Sequence, residues 1–256
     1  MEQELIPVII DFFSEHERQG PGSEWATLKA LDLVEDAHRF KNILDIGCGT
    51  GAQTLTLAQK TTAQITAVDL LKDFLAVVTK RSAWWGVGDR ISALEGRMEA
   101  LPFEAEFFDM IWCESAIYHI GFENGLKQWR KFLRDEGYLV VSEISWTTPD
   151  RPQEITDYWK TSYPEIDSIA HKIDTITQSG YLFVGCFTLP QQAWNNYYHP
   201  IIIQLANRIG RSNNRVVQAF LEGIVEELVM YQRYSQFYNY VFYVMKKNTF
   251  TLSTSC

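Results

Sequence analysis

An open, doubly wound α/β sheet of about seven strands is the fold this chain predicts, and three observations predict it. Short apolar runs alternate with helical ones between about residues 42 and 146. The first apolar run passes straight into a turn with three glycines. A last run rich in aromatic and branched residues closes the chain after a long helical region. Strands separated by helices of this length pair in parallel only through crossovers, which gives a sheet with helices on both faces.

Two amphipathic helical patterns come first, roughly Glu4 to Arg18 and Ser23 to Ala37, split by Gln19-Gly20-Pro21-Gly22. Ser23 is placed to cap the second. The strand NILDI follows, then a helix about Ala52 to Lys60, QITAVD, a helix about Lys72 to Trp85, and ISALEG. FFDMIWC, a helix about Asn124 to Arg134 and GYLVVSEI complete five strands before residue 146. Helical stretches around Pro152 to Thr161 and Pro164 to Gln178 lead to a sixth strand, YLFVGCFTL. A helical region from about Gln191 to Tyr234 separates it from a seventh, YNYVFYVM. No repeat or low-complexity linker divides the chain, so one domain is expected over residues 1–256: a helical lid over 1–40, a core over 41–150 and a helical insertion over 190–236.

With 256 residues, 46% of them hydrophobic, the chain can bury roughly 70–75% of its unfolded surface and needs no staple. The formal net charge of −9 repels phosphate backbones, and no basic block offsets it, so nucleic acid is an unfavoured partner. Cys48, Cys113, Cys186 and Cys256 stand 65 to 73 residues apart, a spacing that suits neither a metal site nor a dense disulfide framework. A reducing cytoplasm is the expected location. The start, MEQELIPVII, is acidic where a signal peptide is basic. The stretch Thr175 to Asn207 lacks Asp, Glu, Lys and Arg, but Gln178, Pro190, Gln191, Gln192, Asn195 and Asn196 interrupt it too often for a membrane helix.

The most informative stretch is ILDIGCGTGA, Ile43 to Ala52. Gly47, Gly49 and Gly51 allow positive φ and close approach of a ligand to the main chain. About twenty residues on, Asp69 ends the second strand, where a carboxylate can accept both hydroxyls of an adenosine ribose. Gly47, Gly49 and Ala52 with Asp69 also satisfy a dinucleotide fingerprint, so two cofactors compete. Asp45 favours one of them. Facing a pyrophosphate, its carboxylate would cost about 4 kcal/mol at an effective dielectric of 20. The same carboxylate suits S-adenosylmethionine, which is cationic and carries no phosphate.

The runs ILDIGCGTG, ITAVDL, GRMEALPFEAEFFDMIWCESAIYHIGF and GYLVVSEI resemble the class I S-adenosylmethionine-dependent methyltransferases, in particular the small-molecule type 11 group. The similarity covers about residues 20 to 150, and LPQQAWNNYYHP with the terminal VFYVM strand extends it over nearly the whole chain. The resemblance implies a Rossmann-like sheet of order 3-2-1-4-5-7-6 with only the seventh strand antiparallel. It also implies S-adenosylmethionine as cofactor and a small-molecule methyl acceptor as partner. On matching positions, Asp45, Gly47 and Gly49 would border the methionine part, Asp69 would hold the ribose and Leu70 would lie against adenine. Arg97 and Met98 would line the adenine; relatives often carry an aspartate at the position of Arg97, and arginine cannot accept the adenine amino group. Glu114 would sit by the cofactor or at the mouth of the acceptor pocket, and Gly22, Ser23 and Trp25 resemble a lid over the methionine end.

Methyl transfer is an in-line displacement whose main demand is alignment. A base is needed only where the acceptor must lose a proton. Glu114, Tyr118 and His119 fall in the loop after the fourth strand and are the candidate catalytic residues, each with a plainer alternative: helix capping, packing, or a histidine bonded to backbone. Trp146, Trp194, Tyr197 and Tyr198, followed by His199, form an aromatic set that reads either as packing of the insertion on the sheet or as the wall of an acceptor pocket. No Asn-Pro-Pro-Tyr run and no zinc-type Cys/His spacing occurs. Two other functions stay open at this point, a nicotinamide-dependent oxidoreductase and a protein that binds S-adenosylmethionine or S-adenosylhomocysteine without catalysis.

Overall fold

The strand Asn42–Ile46 (β1) is buried on both faces, which fits a position with neighbours on each side and helices above and below. In the computed structural model, which describes residues 2–249, β1 pairs in parallel with Gln64–Asp69 (β2) and with Phe108–Glu114 (β4). Ile91–Glu95 (β3) lies outside β2, and Leu133–Trp146 (β5) lies beyond β4, both parallel. Tyr238–Lys247 (β8) is antiparallel and wedges between β5 and Tyr181–Thr188 (β7). The order is β3-β2-β1-β4-β5-β8-β7.

The eighth strand is Asp167–Ser168 (β6), two residues paired with the end of β5. A pairing this short has no alternation to detect, which is why sequence gives seven strands. With β6 set aside, the observed order is the expected 3-2-1-4-5-7-6.

Nine α-helices are described: Glu2–Phe13 (α1), Glu24–Leu31 (α2), Ala52–Lys60 (α3), Lys72–Trp84 (α4), Phe122–Trp129 (α5), Gln153–Ser162 (α6), Ile169–Gln178 (α7), Gln191–Arg208 (α8) and Arg215–Tyr234 (α9). One apolar cluster packs α1, α2, α3, α8 and α9 on one sheet face, and a second packs α5 and α7 on the other. Helix α2 begins where expected, because the Ser23 hydroxyl accepts from Ala26 N at 3.2 Å. The long helical region divides: Gly210 takes φ 72°, and the Asn214 side chain caps α9 by accepting from Val216 N at 2.8 Å. Helix α1 ends at Phe13 rather than Arg18, since the polar side chains of Arg18 and Gln19 reach the sheet instead.

Connections leave β1 and β4 in opposite directions, so a crevice opens between their carboxyl ends, the usual ligand position of such sheets. Among the described residues, no helix is long and apolar enough to cross a membrane, and no group of three or more His, Cys, Asp or Glu could hold a metal ion. Cys48, Cys113 and Cys186 are free thiols; Cys256 lies outside the described residues.

Candidate active site

The turn after β1 is fastened to its neighbour strand: the N–H groups of Gly47 and Cys48 donate to Val68 O at 2.8 and 3.0 Å. Gly49 takes φ 54°, and a Cβ there would lie 2.2 Å from Gln19 Oε1, so only glycine fits. Gln19 accepts from Thr50 N at 2.8 Å, which lays the lid loop directly over the turn. Asp69 holds the other side of the crevice. Its Oδ2 accepts from Gly49 N at 2.8 Å and its Oδ1 from Leu71 N at 2.9 Å. Desolvation raises the Asp69 carboxyl above the usual range, against the pull of these backbone donors.

A carboxylate offers about four acceptor sites, so Asp69 retains capacity for the paired hydroxyls of a ribose. Leu70 beside it is 50% exposed and presents an apolar face. The Met98 methyl group lies 3.6 Å from where a Gly47 Cβ would sit, so its thioether covers the turn. A cation-bearing nucleoside without phosphate fits this donor set, in which acids outnumber bases. Arg97 takes no part, because its guanidinium is turned to the surface and pairs with Glu99 at 2.6 Å.

Asp45 lies beneath the turn rather than open to it. It is fully buried, its Oδ2 accepting from Thr54 Oγ1 at 2.5 Å and its Oδ1 from Gln53 Nε2 at 3.3 Å. Desolvation lifts its carboxyl to about 7, with the negative charges of Glu114 and Asp69 adding to the effect.

Glu114 ends β4 and accepts three hydrogen bonds. Its Oε1 accepts from Thr27 Oγ1 at 2.7 Å and from Trp112 Nε1 at 2.9 Å, while its Oε2 pairs with Arg18 Nη1 at 2.7 Å. The residue therefore ties the lid to the sheet. Gly22 permits that approach, since a Cβ there would stand 2.8 Å from Arg18 Nη1. Trp25 does not join the crevice: it is 53% exposed on the outer face of α2, edge-on to Phe187 with Lys29 above the ring.

Beyond the lid loop lies a cavity of about 190 Å³. Gln19, Gly20 and Pro21 form its near wall, with Ser115 and Tyr118 from the loop after β4. Helix α8 supplies Trp194, Tyr197 and Tyr198, as the aromatic spacing suggests. Tyr158, Trp159 and Tyr163 come from α6 and its end, Tyr238 and Tyr240 from β8, and Glu227 from α9. Trp194 is held by donating Nε1–H to Asn239 Oδ1 at 2.7 Å and by stacking on Tyr231 at 4.4 Å. Trp146 stays outside, packed edge-on to Tyr238 beneath the Arg151 guanidinium. His119 lies tilted against Tyr118 with centroids 4.1 Å apart and is not among the cavity walls. Desolvation lowers the His119 pKa, and the Asp69 carboxylate partly restores it. His199 is exposed.

The unforeseen wall residue with most chemistry is Glu227. Phe220, Ile224, Glu227 and Tyr231 repeat at helical four-three-four spacing, so an acid occupies a position on the apolar stripe of α9. That interruption is the signal by which sequence could have found it.

Residues 43–137 match the model of the family described as "Methyltransferase domain". Methyltransferase GfsG of Streptomyces halstedii is 31% identical over 110 residues, covering 43% of this chain and 40% of that protein. The erythromycin 3''-O-methyltransferase of Saccharopolyspora erythraea is 33% identical over 104 residues, covering 40% of this chain and 34% of that protein. The chain thus spans about two fifths or less of the length of these relatives. A methyltransferase from Geobacter sulfurreducens in complex with S-adenosylhomocysteine shares the fold, with TM-score 0.77 and 17% identity over 94% of this chain and 97% of the other. The matched segment includes the glycine turn and Asp69, which decides between the two cofactors that the glycine spacing alone allows. Over residues 43–137 the chain therefore carries a methyltransferase domain, similar to the class I S-adenosylmethionine-dependent methyltransferases, whose cofactor is S-adenosylmethionine.

Proposed function

We propose that the protein transfers a methyl group to a small organic acceptor held in the aromatic cavity. The observation that carries this reading is the position of Gln19, which touches the glycine turn through Thr50 N and also lines the cavity, so crevice and cavity meet at one side chain. When bound, S-adenosylmethionine supplies an electrophilic methyl on a sulfonium. Asp69 accepts the ribose hydroxyls, Leu70 and Met98 flank the adenine, and Gly47 and Gly49 leave main chain open beside the methionine end. The lid, pinned through Arg18 and Thr27 to Glu114, excludes water and aligns the two reactants. The erythromycin enzyme named above acts on a small molecule, which supports an acceptor of that size. Three free cysteines among the described residues suit a reducing, cytoplasmic setting.

Incubation with S-adenosylmethionine and pooled small-molecule acceptors, read as S-adenosylhomocysteine released, tests the reading. Release that needs an acceptor is the expected result; calorimetric binding of NAD in place of S-adenosylhomocysteine would refute it. A second reading, cofactor binding without catalysis, draws on one observation: Glu114 is engaged by the lid and by Trp112, and His119 stands outside the cavity. Acceptor-dependent turnover eliminates it.

A further inference from the structure

Nine of the sixteen residues lining the cavity are Tyr or Trp, and Glu227 is the one charged side chain among them, with no Lys, Arg or His. Two other carboxylates drawn into the protein are matched with a cation, Glu114 with Arg18 at 2.7 Å and Glu143 with Lys172 at 3.0 Å, while Asp69 is held by two backbone N–H groups in the cofactor crevice. Asp45 has two donors and lies off the cavity. Glu227 instead receives the Tyr198 hydroxyl at 2.9 Å, and no ion pair joins it among the described residues. An anionic acceptor would be repelled by this carboxylate. A neutral, apolar one would strand it out of water, which is costly for any ionised group. A cation would pair with it while facing ring π-systems, the arrangement that recognises ammonium groups.

We propose that the acceptor is an amine that enters as an ammonium cation, seated against the rings of Tyr197, Trp194 and Tyr158 and paired with the Glu227 carboxylate. This deepens the methyl-transfer reading and rests on it. The indole N–H of Trp159 is buried in the same wall without a partner, so it is placed to donate to an oxygen elsewhere on the acceptor. For transfer, the ammonium first gives a proton to the Glu227 carboxylate. The freed nitrogen lone pair then forms the bond to the methyl carbon, the sulfur–methyl bond breaks with its electron pair left on sulfur, and the nitrogen becomes the more highly methylated cation. Glu227 returns its proton to solvent and is again the counter-ion. Desolvation raises the Glu227 carboxyl above its usual range, which favours that proton acceptance.

The test uses the intact protein, with choline chloride as the cationic probe and 3,3-dimethylbutan-1-ol as its uncharged isostere, each titrated against tryptophan fluorescence. Choline is expected to bind at least tenfold more tightly than the alcohol, and Glu227→Gln to remove that preference while leaving alcohol affinity unchanged. Equal affinities in the unmodified protein overturn the proposal, and so does a preference that survives Glu227→Gln. The comparison in the unmodified protein is decisive even where the variant folds poorly. Calorimetry with S-adenosylhomocysteine on the same samples separates the two readings. Choline preference without S-adenosylhomocysteine binding refutes methyl transfer alone, whereas S-adenosylhomocysteine binding without choline preference refutes the amine.

Discussion

Glu114→Ala should act first on the attachment of the lid and only through it on turnover. The change leaves three donors in a dry site: the Arg18 guanidinium, the Thr27 hydroxyl and the Trp112 indole N–H. The Arg18 and Glu114 side chains are 9% and 4% exposed, so water cannot replace the lost partner. Breaking a buried pair by removing one member costs about 3–5 kcal/mol, and the two neutral bonds lie within that range. Glu114→Gln keeps one acceptor oxygen and should cost less, about 2–3 kcal/mol. Urea unfolding gives the free energies, and amide exchange in α2 locates the loss, because the lid should open before the sheet does. In a double-mutant cycle with Arg18→Ala the two changes should couple by about 2 kcal/mol or more. A Glu114→Ala cost below about 1 kcal/mol, or additive single changes, would refute the anchoring role. A Glu114→Gln variant of native stability with no turnover would point instead to direct chemistry.

Three further outcomes follow from the same geometry. Asp69→Asn removes the charge from a group placed for two hydroxyls, so S-adenosylhomocysteine affinity measured by calorimetry should fall at least tenfold, about 1.4 kcal/mol or more; unchanged affinity sinks the ribose role. Gly49→Ala places a Cβ at φ 54° and against Gln19, so stability should drop by about 1–2 kcal/mol from the backbone plus the clash, and adding Gln19→Ala should recover the clash alone. Asp45 titrates near 7 when folded and near 3.9 when unfolded, so the folded state holds its proton more tightly. That stabilisation is complete below about pH 4 and is lost as pH rises through about 7, a span of up to about 4 kcal/mol. Relative to the unmodified protein, Asp45→Asn should therefore be more stable at pH 8 than at pH 5; urea melts showing the reverse order would contradict the burial argument.

Most of the strand order and the position of the turn were legible because they depend on local pattern: apolar runs at strand length, glycines at a strand end, an acid twenty residues later. Helix α3, Ala52–Lys60, matches its sequence boundaries for the same reason. Side-chain direction was not legible. Asp45 reads as a group facing the ligand, yet Thr54 and Gln53 on the next helix turn it inward. Trp25 and Trp146 carry the right chemistry but point to Phe187 and Tyr238, since apolar rings satisfy any greasy contact within reach. Glu114 stands out in the sequence, although two of its three partners, Arg18 and Thr27, come from the distant lid, which no spacing rule connects to β4. The cavity was half legible: Trp194, Tyr197 and Tyr198 share one helix, whereas Tyr158, Glu227 and Tyr240 converge only through the sheet.

The walls of the cavity come mainly from chain beyond residue 143, while the turn and Asp69 come from chain before residue 70. If the cavity holds the acceptor as proposed, the two halves of the reaction would come from separable stretches of sequence, with Gln19 as the hinge pin between them. On the proposed function, a laboratory graft of residues 190–236 from a relative should retune acceptor selectivity while leaving S-adenosylhomocysteine affinity unchanged.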